Sequence, residues 1–210
     1  MSKTLAIIGS GDLGQQLAHY AISDNHFDKV VFIDDFESKS EVNGHKIVGK
    51  IKDIQSLFDA NVFDELLIGI GYRHLEFKKK LFISLSSKIP FATLIHSSAW
   101  VDPTSKIGAG TVIFPRCIID AKAVINQNCL LNVGCSISHD STIDSHCFLS
   151  PRVAVAGFVS IQESCILGIN STVIDNISIK KGSQLGGGAV VINTIKKSGL
   201  YVGNPSRFIR

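Results

Sequence analysis

The sequence predicts two folds joined end to end: an α/β domain over residues 1–94 and an all-β left-handed parallel β-helix over residues 95–210, ending in a short C-terminal tail. Three observations carry that reading. An aliphatic residue recurs every six positions through the second half. A small residue follows each aliphatic by four. Near the N-terminus, a glycine-rich turn stands between a short apolar strand and a helical stretch.

The six-residue frame runs from Ile95 through Val101, Ile107, Ile113 and so on to Val191, seventeen residues without a break. Ile, Leu and Val make up 60 of the 210 residues. Chance would give such a run on the order of one time in a billion, so the period is a property of the fold. Three hexads close one triangular coil, each face turning one large aliphatic inward. Stacked coils then pair as parallel strands roughly 4.8 Å apart. Such coils run against the usual right-handed crossover, so the left hand rests on the six-residue period alone.

Most of the positions four residues after each aliphatic hold Ala, Ser, Thr or Cys. Only a small side chain fits beside a large one at a corner of native packing density. All five cysteines, Cys117, Cys129, Cys135, Cys147 and Cys165, fall in this frame and read as buried small apolar residues. No CxxC or Cys/His spacing supports a metal site. An odd cysteine count without an export signal fits a reducing cytoplasm.

The charge is nearly balanced, +3 with no basic run, which argues against a nucleic-acid surface. No apolar stretch reaches the roughly 18 residues that would span a bilayer.

In the first half, Thr4–Ile8 reads as a strand, Gln15–Ser23 as a helix and Lys29–Ile33 as a second strand ending in Asp34-Asp35. Residues 51–59 read as helical, Glu65–Ile70 as a third strand, Leu75–Ser87 as an amphipathic helix whose Lys78, Lys79 and Lys80 face solvent, and Phe91–Ile95 as a last strand. Alternating strands and helices imply a parallel sheet. Gly9, Gly11 and Gly14 match G-x-G-x-x-G in its strand–turn–helix setting, and the acidic pair follows about 20 residues on, as in a Rossmann-like nucleotide fold. Some 95 residues are too few for both mononucleotide halves, so a single nucleotide fits the size better than NAD. Arg73 follows Gly69-Ile70-Gly71 at a strand's carboxyl end, where ligands of open sheets bind.

On the β-helix, His139-Asp140 interrupts a hexad and should project outward. A histidine beside a carboxylate is a candidate general base, because the acid orients the ring. Asn132 lies one hexad earlier and is expected to point into the same space. His146 stands seven residues on. His96 and Trp100, near the first corner, are expected to pack rather than bind substrate.

The hexads, the glycine turn, Phe32-Ile33-Asp34-Asp35-Phe36, Leu94-Ile95-His96, His139-Asp140 and Gly203-Asn204-Pro205 together resemble the bacterial sugar acyltransferases that include nucleotide-amino-sugar N-acetyltransferases and sialic-acid O-acetyltransferase-like proteins. The resemblance covers nearly the whole chain. It implies an acetyl-CoA-dependent enzyme of glycan biosynthesis, a homotrimer with acetyl-CoA between neighbouring β-helices and no metal. Its acceptor would be the amine of a UDP- or dTDP-linked 4-amino-dideoxy sugar. It further implies His139 as base with Asp140 as its acid (relatives commonly carry Glu), Asn132 near the sugar, Gly11, Asp34 and Asp35 on the nucleotide, and Gly157, Ile169 and Gly187 along acetyl-CoA. Many relatives have a second histidine where this chain has Phe148. A hydroxyl acceptor, as in a sugar or sialic-acid O-acetyltransferase, and a non-enzymatic nucleotide-sugar scaffold are the rival readings. A nicotinamide oxidoreductase would rest on the glycine motif alone.

Overall fold

The computed structural model describes residues 3–210, which divide into two compact units, one ending at Leu94 and the other running Ile95–Arg210. In the first, β1 (Thr4–Ile8), β2 (Lys29–Ile33), β3 (Glu41–Val42), β4 (His45–Gly49) and β5 (Glu65–Ile68) form one sheet in the order β3-β4-β2-β1-β5. β1 pairs in parallel with β2 and β5, and β4 runs parallel to β2. Leu5–Ile8, Val30–Ile33 and Leu66–Ile68 are buried without interruption, as expected of parallel strands covered on both faces.

Helix α1 (Asp12–Ser23) begins three residues earlier than the sequence reading placed it, with Gly11 as its N-cap. Its buried residues, Gly14, Leu17, Ala18 and Ala21, follow helical spacing and mark one inward stripe. Helix α2 (Ile54–Asp59) continues a 3₁₀ turn over Ile51–Asp53. Helix α3 (Leu75–Leu85) buries Leu75, Lys78, Leu81 and Phe82. The expected solvated lysine face is therefore wrong for Lys78, which the helical period sets on the inward stripe, while Lys80 is exposed. The β3–β4 hairpin is a feature the sequence reading missed. Its signal is Asn43-Gly44, both at positive φ, the pair that a two-residue hairpin turn favours. Of the strand expected over 91–95, Phe91 makes a single bridge to Leu66 and only Leu94–Ile95 is regular.

The second unit is the left-handed β-helix. From Trp100–Val101 to Thr172–Val173, each two-residue strand pairs in parallel with the strand eighteen residues on, as in Ile119 with Ile137 and Ile137 with Val155, so one coil is three hexads. The strands sort into three sheets, one per face. The aliphatic column and the small-residue column together form one core cluster from Ile113 to Ile195. The five cysteines are buried and unpaired. Their thiols donate to carbonyls of the next coil, as Cys117 Sγ does to Asn132 O at 3.0 Å and Cys135 Sγ to Ser150 O at 3.2 Å. Burial and the thiols on either side push Cys147 well above the ordinary thiol range, which suits packing groups rather than nucleophiles. At the far end, Leu200–Val202 adds to the sheet in parallel and Arg207–Phe208 folds back on it, covering an edge that would otherwise be open. Trp100 differs from expectation: it is 53 % exposed, outward on the first full strand.

Each coil turns its corners through one residue in the left-handed region. Every sixth residue from 110 to 188 has positive φ, and Asp140 and His146 are two of them. A corner therefore separates His146 from the strand Phe148–Leu149. His146 is buried, with Nδ1 2.9 Å from the Asn128 amide nitrogen.

Candidate active site

The N-terminal unit holds a cavity of about 430 Å³ at the carboxyl ends of its strands, lined by Ile8, Ile33 and Ile70 below and by Asp34, Asp35 and Phe36 at its rim. This is where an open parallel sheet binds its ligand. The three motif glycines have different causes. A Cβ on Gly14 would lie 1.9 Å from the Gly9 carbonyl oxygen, so Gly14 is bare to let α1 pack on the turn. Gly9 has φ +94° and abuts Gly69. Gly11 has ordinary φ and nothing within 4 Å of its missing Cβ. The chain itself does not require glycine there, and the open space lies at the N-terminus of α1, where N–H groups face outward.

The two aspartates also separate. Asp34 Oδ2 accepts the Ser10 N–H and Oγ–H, both at 2.7 Å, and Oδ1 accepts the Phe36 and Glu37 N–H groups at 2.9 and 3.1 Å. Partial burial pushes its pKa up, but these donors outweigh it and hold the carboxyl below its ordinary range. Asp34 thus ties the loop after β1 to the loop after β2. Asp35 is exposed and accepts one bond, from the Ile51 N–H at 2.8 Å. Arg73 is exposed on the turn Tyr72–His74; His74, next to it, lines the cavity and Arg73 does not.

On the β-helix, His139 projects outward with its side chain 49 % exposed and Nδ1 3.0 Å from Asp140 Oδ2. Nδ1 meets a carboxylate as a donor, which leaves the Nε2 lone pair free to take a proton. The ring lies against Gly157, one coil on: a Cβ there would come within 2.8 Å of Cε1 and 2.9 Å of Nε2. Gly157 is bare because the imidazole occupies its side-chain space.

Next to this pair, the sheet face through Ser136–Ile137, Ala154–Val155 and Thr172–Val173 carries a shallow hollow of about 330 Å³, floored by Ser136, Ser138, Ala154 and Ala156. The expected residues sort to its two edges. His139, Asp140 and Gly157 lie at the corner after these strands. Asn132, Ile169 and Gly187 lie at the corner before them, where Gly187 packs against Ile169. Within one chain, Asn132 and His139 therefore stand at different corners, with the strand Ser136–Ile137 between them. Asn132 Oδ1 accepts its neighbour Val133 N–H at 3.4 Å. Among the described residues, no group of three or more His, Cys, Asp or Glu is placed to hold a metal ion. Among the same residues, no helix is long and apolar enough to cross a membrane.

Residues 4–83 match the PglD N-terminal domain, and residues 89–185 match the GMPPB C-terminal domain. No curated protein matches the chain significantly in sequence. Among solved structures, the acetyltransferase domain of PglB from Neisseria gonorrhoeae, in complex with acetyl coenzyme A, superposes with a TM-score of 0.92 at 24% identity, over 100% of each chain. A histidine-to-asparagine mutant of perosamine N-acetyltransferase from Caulobacter crescentus, in complex with CoA and GDP-perosamine, gives 0.91 at 25% identity, over 99% of this chain and 97% of that one. WeeI from Acinetobacter baumannii gives 0.87 at 20% identity, over 99% and 100%. With a PglD-type domain set before a hexapeptide β-helix, the chain shares its architecture over nearly its whole length with these acetyltransferases.

Proposed function

We propose that the chain transfers the acetyl group of acetyl-CoA to the amine of a nucleotide-linked 4-amino-dideoxy sugar, with His139 as general base. The observation that carries this reading is the exposed His139, oriented by Asp140 at 3.0 Å and seated on a glycine that makes room for its ring. Residues 1–94 hold the nucleotide, with Asp35 at the cavity rim reading its base and the N–H groups at Gly11 facing the phosphates. Residues 95–210 carry the chemistry. As the amine attacks the thioester carbonyl, Nε2 takes its proton, and Asp140 faces the imidazolium that forms. A backbone N–H of the groove stabilises the oxyanion, and Gly157, against which the imidazole lies, is the candidate to supply it. The tetrahedral intermediate then expels CoA thiolate, which leaves protonated as CoA-SH. Holding both reactants on one trimer supplies the advantage of proximity.

The division of Gly157 from Ile169 and Gly187 across one sheet face supports a homotrimer, in which one chain's Ile169 edge meets its neighbour's His139 edge and acetyl-CoA lies between. Both substrates are metabolites of the cytoplasm, where the proposed reaction runs.

The test is thiol release from acetyl-CoA with UDP-, dTDP- and GDP-linked 4-amino-4,6-dideoxy sugars. One sugar supports release, and His139→Ala lowers kcat by about 10²–10⁴-fold. Near-normal turnover of His139→Ala at every pH would remove the base assignment. Silence of the wild type across the panel, with acetyl-CoA bound, would move the acceptor from an amine to a hydroxyl.

A further inference from the structure

The fourteenfold series of left-handed corners shows what such a position selects. The occupants are Gly110, Gly134, Gly182 and Gly188, together with Arg, Lys, Asn, Asp, His and Ser, each either free of a Cβ or polar. Conformation accounts for the glycines and asparagines, since the left-handed region costs other L-residues ~1–2 kcal/mol. Solvent at the corner accounts for the charges. Phe158 satisfies neither condition. It holds φ 57° and is 57 % exposed, and it is the one apolar side chain in the series. Folding would be better served by Asn or Gly. Where a residue breaks local rules for no gain to the chain's own fold, contact with something outside the chain is the remaining cause, a ligand or a neighbouring copy.

Its neighbours indicate which ligand. Phe158 follows Gly157 and sits one coil from Asp140. Its ring meets the His139 ring edge to face, with centroids 5.2 Å apart and planes at 85°. Its N–H donates to the His139 carbonyl at 3.2 Å. Two successive residues thus divide the space around the imidazole: Gly157 leaves room for it, and Phe158 raises an aromatic wall beside it.

We infer that Phe158 is the platform for the acceptor sugar. The C–H face and C6 methyl of a 6-deoxy pyranose pack on its ring, and this sets the C4 amine against Nε2 of His139. The inference rests on the proposed N-acetyltransferase reading and adds a preference within it. A methyl on C5 loses water at the ring without penalty, whereas a hydroxymethyl would lose a hydrogen-bonded hydroxyl with no partner offered.

The experiment is steady-state kinetics on the full chain with the nucleotide sugar that supports wild-type thiol release, alongside its 6-hydroxy counterpart. Phe158→Asn should raise KM for the nucleotide sugar about tenfold, the scale of one aromatic contact. KM for acetyl-CoA should stay within about twofold, and the melting temperature should not fall, because Asn suits the corner. Phe158→Tyr should restore KM. The wild type should prefer the 6-deoxy sugar, and Phe158→Asn should lose that preference. Unchanged KM and unchanged preference in Phe158→Asn, with the wild type active, would overturn the platform alone. So would a fall in kcat and a shifted pH profile at constant KM, which would make Phe158 a support for His139. A wild type that releases no thiol with any amino sugar would overturn the N-acetyltransferase reading and the platform with it.

Discussion

Single glycines in this chain do different work, and substitution separates them. At Gly14 an added methyl would drive into the Gly9 carbonyl at 1.9 Å, backbone against backbone, with no side chain able to yield. Gly14→Ala should cost ~3 kcal/mol or more, read by chemical denaturation. At Gly11 the same methyl meets open space. Gly11→Ala should cost under about 1 kcal/mol, the difference between two N-cap residues, yet raise KM for the nucleotide sugar. A normal KM in that variant would remove Gly11 from the phosphate site. The sequence motif gave all three glycines one meaning. What it could not show is which are bare for the chain's own sake, because that depends on atoms 5 and 60 residues away.

At the scale of elements, Asp34 is the link between two loops of the nucleotide cavity. Its carboxyl lies below its ordinary range, so its contribution to stability is fully present above the unfolded carboxylate's value and is lost as pH falls through its own lower value. Asp34→Asn should lower the melting temperature at pH 7, by the loss of charge-assisted bonds worth about 1–3 kcal/mol. The gap between the two proteins should close as pH drops below the carboxylate range. A gap constant from pH 7 to pH 3 would show that shape, not charge, holds the loops. Elements are legible in the sequence where a period repeats: the hexads locate the β-helix strands from Leu94–Ile95 to Val190–Val191, and the apolar runs locate β1, β2 and β5, while Leu200–Val202 and Arg207–Phe208 lie beyond the frame. The β3–β4 hairpin was passed over although Asn43-Gly44 announced it, because its strands are short and half-buried and carry no alternation strong enough to see. The left-handed corners were invisible for another reason. Arg, Lys, Asp, His and Phe at those positions have no common chemistry, and only the backbone unites them.

For the whole molecule, the question is whether a site is complete in one chain. His139 and Gly157 lie on one edge of a sheet face, Ile169 and Gly187 on the other. If acetyl-CoA lies between two chains, a variant disabled at one edge can be rescued by a variant disabled at the other. His139→Ala and Gly187→Trp, each inactive alone, should regain a fraction of wild-type turnover when co-expressed, since mixed trimers contain some intact sites. Light scattering should give a mass three times that of the chain. Mixed assemblies with no activity would place both edges in one chain's own site. The sequence singles out Asn132 and His139 as candidates, but within one chain they stand at different corners of the coil. Residue spacing fixes a position along the coil, while the side from which a ligand approaches depends on the corner between them.

The eighteen-residue coil also gives this molecule something like a reading frame. Excising a whole coil would leave every later residue on its own face, inward or outward as before, and shorten the column by one strand spacing of roughly 4.8 Å. Excising a single hexad would also keep the core aliphatic, yet turn everything downstream by one face and carry Ile169 and Gly187 away from the edge they occupy. A deletion three times larger should therefore be the gentler one. Lineages that lengthen or shorten this column are expected to do so by whole turns of the prism.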